Sequence, residues 1–278
     1  VTMNVQTIVN QLESFAPLAF QEDFDNCGLL IGNRNQTVEG ILICLDVTEA
    51  VVDEAITTKH NMIVCHHPLI FKGLKSLTGR NEVERCVMKA IKHDIAIYAA
   101  HTSLDSAPDG VSVRMAQKLG LEHVQVLVPK SGMLLKLVTF VPTAHLETVR
   151  EALFEAGAGR IGQYDACSFS HSGEGTFRPG TETNPFVGVI GEVHHEPELR
   201  LEVILPKHKQ SAVVTALLQA HPYEEPAFDL IPLANEWSQV GLGVVGDFPN
   251  SYAEIDFLKQ VKQTFQSDVI KHSPVLGR

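Results

Sequence analysis

Basic residues are in short supply: 22 Lys and Arg stand against 33 Asp and Glu, a formal charge of −11 over 278 residues. A protein that grips duplex nucleic acid needs clustered cations, so that partner class is excluded, while a small anionic ligand stays open if a metal or a local patch supplies positive charge. No run reaches the ~18–20 apolar residues of a membrane span, and the first thirty residues lack a basic stretch leading into an apolar one, so neither membrane insertion nor secretion is expected. Cysteine is sparse and odd in number, and no C-x-x-C spacing occurs. Cys27, Cys44, Cys65, Cys86 and Cys167 therefore read as reduced thiols, three of them inside apolar runs, and the expected setting is cytoplasmic. Walker loops, G-x-S-x-G elbows and Rossmann glycine fingerprints are all missing, which removes the commonest nucleotide-binding and serine-hydrolase readings.

What is present is a globular composition, 44% hydrophobic and 20% charged, long enough for one large domain or two ordinary ones. Apolar Val5, Ile8, Val9, Leu12 and Phe15 recur at helical spacing before Pro17. "EDFDNCGLLIG" reads as a polar turn entering a short strand. Gly40 to Thr48 and "MIVC" (62–65) read as buried strands separated by a helix over 49–60. A helix over 82–93, the strand "IAIYAA" and a helix over 110–119 follow. Strands alternating with helices predict βαβ units, an α/β fold with a mostly parallel or mixed sheet flanked by helices.

The texture changes after Leu127. A strand over 133–142, a helix over 145–156, a Gly-, Ser- and Thr-rich stretch over 157–185 with weak strand signals, a strand over 199–206, a helix over 207–221 and the strand "AFDLIPL" make two strand-helix-strand units. They resemble a small ferredoxin-like α+β sandwich. The expected organisation is a discontinuous domain of residues 1–130 and 236–278, with residues 131–235 inserted as a second domain.

One constellation carries chemistry. His66 and His67 follow the "MIVC" strand, and His101 and Asp105 follow "IAIYAA". Ligand sites in open parallel sheets form beyond the carboxyl ends of strands, so both groups should open on one crevice. On a regular strand His66 and His67 would point to opposite faces, so either two ions or an irregular strand end is needed for both to act as ligands. Pro68 agrees with pairing that ends there. Imidazole and carboxylate suit Zn, Mn, Fe or similar divalent ions. His101 is either a further ligand or a group that orients Asp105 or a solvent ligand. Asp25 and Asn26 most simply form a polar turn or helix cap; the alternative is that they face the crevice. "GEVHHEPE", with Glu192, His194, His195 and Glu196, reads as a solvated loop, as do Glu224 and Glu225 in "HPYEEPAFDL". Lys72, Lys75 and Arg80 either meet phosphates or form a solvated basic loop.

"DFDNCGLLIG", "HHPLIFKGLKSL" and "AAHTSLDSAPDGVS", in this order, resemble the GTP cyclohydrolase 1 type 2 homologues, the Nif-three-like dinuclear metal-centre family. "GAGRIGQYDACSFSHSGEGTFRPG" and "HPYEEPAFDL" are similar to the insertion of its longer bacterial members, itself CutA-like. The resemblance covers essentially the whole chain. It implies two divalent ions, with His66, His67 and Asp105 as metal ligands and His101 as a nearby catalytic proton relay. It implies a homohexamer, and hydrolysis in which a metal-bound hydroxide attacks a purine nucleotide or a related small molecule. It also calls for a His and a Glu four residues apart in a C-terminal segment that this sequence does not contain; His272 is followed at the required spacing by Leu276. The expectation is that the chain is a piece of a longer protein or binds metal with an incomplete ligand set. The alternative reading is a non-catalytic, metal-binding regulatory protein.

Overall fold

The computed structural model describes residues 3–277. They form two compact units, one built from residues up to Pro129 and from Gln239 onward, the other from Lys130–Ser238.

In the first unit, α1 (Val5–Phe15) begins where the Asn4 side chain accepts the Thr7 N–H, and it buries Val5 and Val9. β1 (Gly28–Ile31), β2 (Ile41–Cys44), α2 (Glu49–Thr57), β3 (Met62–Cys65), α3 (Glu82–Lys92), β4 (Ala96–Ala99), the short α4 (Thr102–Asp105), α5 (Val111–Leu119) and β5 (Glu122–Lys130) follow. The sheet order is β1-β4-β3-β2; β2, β3 and β4 run parallel and β1 antiparallel. Alternation along β3 and β4 explains the layers. Ile63, Cys65, Ile97 and Ala99 pack under α2 and α3 with Val52, Cys86 and Val87, while Met62, Ala96 and Tyr98 pack under Val5 and Val9 of α1. The predicted strand over 40–48 is shorter than expected. It stops at Cys44 because Thr48 is already the N-cap of α2, accepting from the Val51 N–H.

The second unit contains β6 (Leu134–Pro142), α6 (Leu146–Glu155), β7 (Ser168–Phe177), β8 (His194–Pro206), α7 (Gln210–Ala220) and β9 (Phe228–Pro232). Its sheet order is β7-β8-β6-β9, antiparallel throughout, the order of a βαββαβ sandwich. Leu137, Val141, Leu201, Val203 and Leu205 form one face and bury α6 and α7 through Val149, Leu153, Val213 and Leu217.

Two readings change here. "HHEPE" is not loop: His194, His195, Glu196 and Pro197 are the first residues of β8 and pair with β7, Pro197 opposite Glu174. Pro197 is tolerated because pairing of β8 with β6 begins only at Glu198. The Gly- and Ser-rich stretch contains the ten-residue strand β7. β5, for which no strand was expected, forms a two-stranded ribbon with β10 (Trp237–Asp247), and α8 (Glu254–Thr264) follows.

Candidate metal centre

The crevice lies beyond the carboxyl ends of β2, β3 and β4, where three loops meet. β3 ends at Cys65, so His66 and His67 leave the pleat before strand geometry can separate them. Their backbone N–H groups donate to the Cys44 and Leu45 carbonyls at 3.2 and 3.0 Å, holding the loop against the end of β2. The opposed faces expected from a regular strand do not occur: the ring centroids are 5.0 Å apart. His101, two residues past the end of β4 and immediately before α4, brings its ring within 5.2 Å of His66 and 5.5 Å of His67. One ligand nitrogen from each of the three imidazoles lies within 4.8 Å of the others. No other group of this kind occurs among the described residues. Asp105, at the end of α4, stands with Oδ1 3.8 Å from His66 Nε2.

Carboxylates fix two of the three imidazoles. Asp25, whose side chain is fully buried, accepts a 2.9 Å hydrogen bond from His101 Nδ1. It also accepts from the Thr102 N–H at 3.0 Å, the Thr102 hydroxyl, the Cys27 thiol at 3.1 Å and the Asn26 N–H at 2.7 Å. Burial alone would raise its pKa; the bonds from Thr102, His101 and Cys27 outweigh that and hold the carboxyl far below the usual range. An ionised carboxylate accepts only, so the His101 proton sits on Nδ1 and the Nε2 lone pair is free to face the cluster. Asp46, just past β2, does the same for His67 through Nδ1 at 2.7 Å. Carboxylates that grip the far nitrogen of an imidazole are what a metal-ligating histidine needs for orientation and basicity. Burial pushes His66 below its ordinary pKa, opposed by the attraction of Asp105, and burial pushes Asp105 up, opposed by His66. Burial therefore favours the neutral form of His66, the form in which an imidazole can bind metal. Three imidazoles and one carboxylate are a donor set that fits Zn, Mn or Fe.

His66, His67, His101 and Asp105, distant in sequence, are thus together. Asp46 is the residue that sequence reasoning missed, while for Asp25 the sequence leaves a polar turn and the crevice both open. Asp46 was findable by the same rule that found the histidines, since it follows a buried strand of the same sheet. Asp25 gave a weaker signal, a place in a polar turn with no strand end to aim it, and its partner His101 lies 76 positions away. Its neighbour Asn26 is no simple turn residue either, donating at 2.6 Å to the Ile70 carbonyl and so pinning the segment after the histidine pair.

The basic loop divides. Arg80 is committed to Glu84, a carboxylate 2% exposed that also accepts from Thr78 and Asn81. Those bonds, led by the Thr78 N–H, hold its pKa down to about 2. Lys72 and Lys75 are exposed and form no ion pair among the described residues. The other histidine cluster stays local: His194 bonds its own Glu196 at 2.7 Å and His195 bonds Glu174 at 3.0 Å, with no third ligand converging. All five cysteines are free thiols. No helix among the described residues is long and apolar enough to cross a membrane.

Comparison with known proteins agrees with the quoted motifs. The chain is similar to proteins named GTP cyclohydrolase 1 type 2 homolog from Halalkalibacterium halodurans (46% identity, covering 94% of this chain and 71% of that protein) and Bacillus subtilis (41%, covering 94% and 70%). Its fold is similar to the crystal structure of a Bacillus cereus protein related to NIF3, with a TM-score of 0.85 and 41% identity over 97% of this chain and 72% of that one. Residues 3–277 match the sequence model of Duf34/NIF3 (NGG1p interacting factor 3), and the chain therefore belongs to the Duf34/NIF3 family.

Proposed function

We propose that the first unit is the centre of a metal-dependent hydrolase that acts on a purine nucleotide or a related small molecule. The observation that carries this reading is the convergence of His66, His67 and His101, two of them held from behind by Asp46 and Asp25. The names of the relatives point to the same class of chemistry. His66, His67 and Asp105 are the ligands in this reading, shared between two divalent ions. Such ions would polarise the substrate and lower the pKa of water at the site.

The remaining roles fall to the chain's own groups. His101 takes and returns a proton at Nε2, because Asp25 keeps Nδ1 protonated and the ring oriented. Lys72 and Lys75 draw in a phosphate-bearing substrate without being tied down, which Arg80 cannot do. Phe71, with its ring 6.5 Å from His101 and 44% exposed, offers an apolar wall for a planar base. His101 as a third imidazole ligand is the second reading, favoured by the common 4.8 Å cluster. Metal content separates the two, since His101→Gln keeps its metal in the first and loses it in the second.

The inserted unit is proposed to be CutA-like, supported by its βαββαβ order, and the working assembly to be a homohexamer in the cytoplasm. Ile43, on the edge strand β2, and Leu45 just beyond it are 80% and 58% exposed, the kind of apolar surface that a subunit contact would cover. Light scattering on the purified chain tests the assembly.

The activity test is incubation of the chain, loaded with Mn2+ or Zn2+, with GTP and related nucleotides, followed by chromatography. Turnover falling by about 10²–10⁴-fold in His101→Gln with metal retained is the expected result. Untouched nucleotides in every metal condition, or equal turnover by the variant, would overturn the proposal.

A further inference from the structure

A hollow lies wholly within the inserted unit, on the sheet face turned away from α6 and α7. Its volume is about 580 Å³, within the ~300–1,000 Å³ range of small-molecule sites. Register puts Gly175, Phe177, Glu198 and Phe140 on this face: His171 pairs with Arg200 and Gly173 with Glu198, opposite in phase to the half-buried Leu199 and the buried Leu201 and Val203. Tyr223, from the "HPYEEP" turn, and Phe186, from the segment between β7 and β8, close it from the sides.

The floor is built. Glu198 is only 8% exposed, and its Oε1 accepts a 2.8 Å bond from the Tyr223 hydroxyl. Its Oε2 has no hydrogen-bond partner among the described residues, and a side chain at Gly175 would stand 2.1 Å from it. A glycine in mid-strand is costly unless something occupies the space it leaves; here a carboxylate oxygen does. His221 sets the turn. Its Nε2 donates to the Phe140 carbonyl at 2.9 Å, while Nδ1 accepts the Tyr223 N–H at 3.1 Å. Phe177 and Phe186 stand 5.9 and 6.2 Å from the Tyr223 ring, giving the hollow aromatic sides. Glu174, Glu182, Glu224 and Glu225 also line it, against the single cation Arg178.

A buried carboxylate with one unused oxygen beneath aromatic rings is complementary to a cation with N–H donors and an apolar body. We propose that this hollow is a binding site for a small organic cation, an amine, amidine or protonated amino-heterocycle, whose nitrogen donates to Glu198 Oε2 while its ring or chain lies against Phe177, Phe186 and Tyr223. The site is separate from the histidine cluster and does not depend on how that cluster works. It gives the inserted unit a ligand of its own.

Benzamidine, a ring bearing an amidinium, is the probe, with benzoate as the same ring of opposite charge, each titrated calorimetrically into the full chain. Saturable binding of benzamidine, with benzoate weaker by about tenfold or more, is expected. Glu198→Gln retains an acceptor for Tyr223 yet removes the charge, and Phe186→Ala alters a half-exposed wall. Each should weaken benzamidine by about tenfold while melting with the parent chain. His67→Gln should leave benzamidine binding unchanged. Absence of benzamidine binding, equal binding of benzoate, or full affinity in Glu198→Gln would overturn the proposal. So would binding of Mn2+ alone that is lost in Glu198→Gln while benzamidine fails to bind, since the hollow would then be a metal site.

Discussion

Asp25→Asn is the sharpest perturbation of the centre, because it removes a charge and one acceptor face while preserving shape. Oδ1 accepts from the Asn26 N–H and His101 Nδ1; Oδ2 accepts from the Thr102 N–H, its hydroxyl and the Cys27 thiol. An amide has a single oxygen, so whichever way it turns, its NH2 faces a backbone N–H that cannot rotate away. Stranding one buried donor costs about 1–3 kcal/mol, and the bonds that survive lose their charge assistance, so a total of about 2–4 kcal/mol is expected. That corresponds to a fall in melting temperature of about 4–16 °C. If His101 instead changes tautomer to accept from the new amide, its Nε2 becomes a donor and cannot serve as ligand or base. Metal affinity or turnover then drops by about 10–100-fold. The pH dependence has a definite sign. The folded carboxyl titrates well below its ordinary value, so its contribution is complete above the ordinary carboxylate range and is lost as pH falls toward the folded value. Acid melts of the parent chain should therefore fall more steeply than those of the variant. Circular-dichroism melts across pH, with and without Zn2+, make the comparison; a variant that melts with the parent and binds metal equally well would refute the reasoning.

Asp46→Asn touches an exposed pair, so stability should change by under about 1 kcal/mol, while metal affinity falls by about tenfold or more; equal affinity by calorimetry would remove Asp46 from the site. Tyr98 buries a hydroxyl without a partner among the described residues, so Tyr98→Phe should melt at the same or a higher temperature, by up to about 1–2 kcal/mol, and a clear loss would reveal a bound water. Gly110, the N-cap of α5, would carry a Cβ 1.9 Å from the Leu104 carbonyl oxygen. Gly110→Ala should therefore cost at least about 1–3 kcal/mol and disturb Asp105, read as a lowered melting point together with weakened metal binding. Metal uptake should also decline as pH falls through the ordinary imidazole range, because each ligand histidine must be neutral; uptake that is flat from pH 8 to 5, an interval spanning about ±1.5 units around the usual histidine pKa, would count against imidazole ligation.

How much of this was legible in the sequence depended on distance along the chain. Helices with a clear 3.6-residue apolar period, such as α1 and α3, and the buried strands β3 and β4 were readable because local pattern and burial agree there. The strand-end rule then brought His66, His67, His101 and Asp105 to one crevice without any knowledge of contacts. β7 was only faintly readable, and the start of β8 not at all, for the opposite reason. Their solvent-facing positions carry Gly, His and Glu, so the alternation that marks a half-buried strand is faint, and cross-strand pairing supplies what propensity does not. Glu198 and Gly175 belong to the same class. Each is unremarkable alone, and only the register between two strands shows that one makes room for the other. Asp25 was only half legible because of its burial: a charged residue in a polar stretch reads first as a solvated turn, and only the donors that surround it decide for the crevice.

The central claim is that the His66, His67, His101 and Asp105 cluster is a metal centre. Equilibrating the purified chain with Zn2+ or Mn2+, removing free ion by gel filtration and counting bound metal by mass spectrometry tests it directly. The account predicts retained divalent metal, approaching two ions per chain, and its loss in a His66→Gln, His67→Gln double variant that still melts cooperatively. Equal metal in both proteins, or none in either, would contradict it.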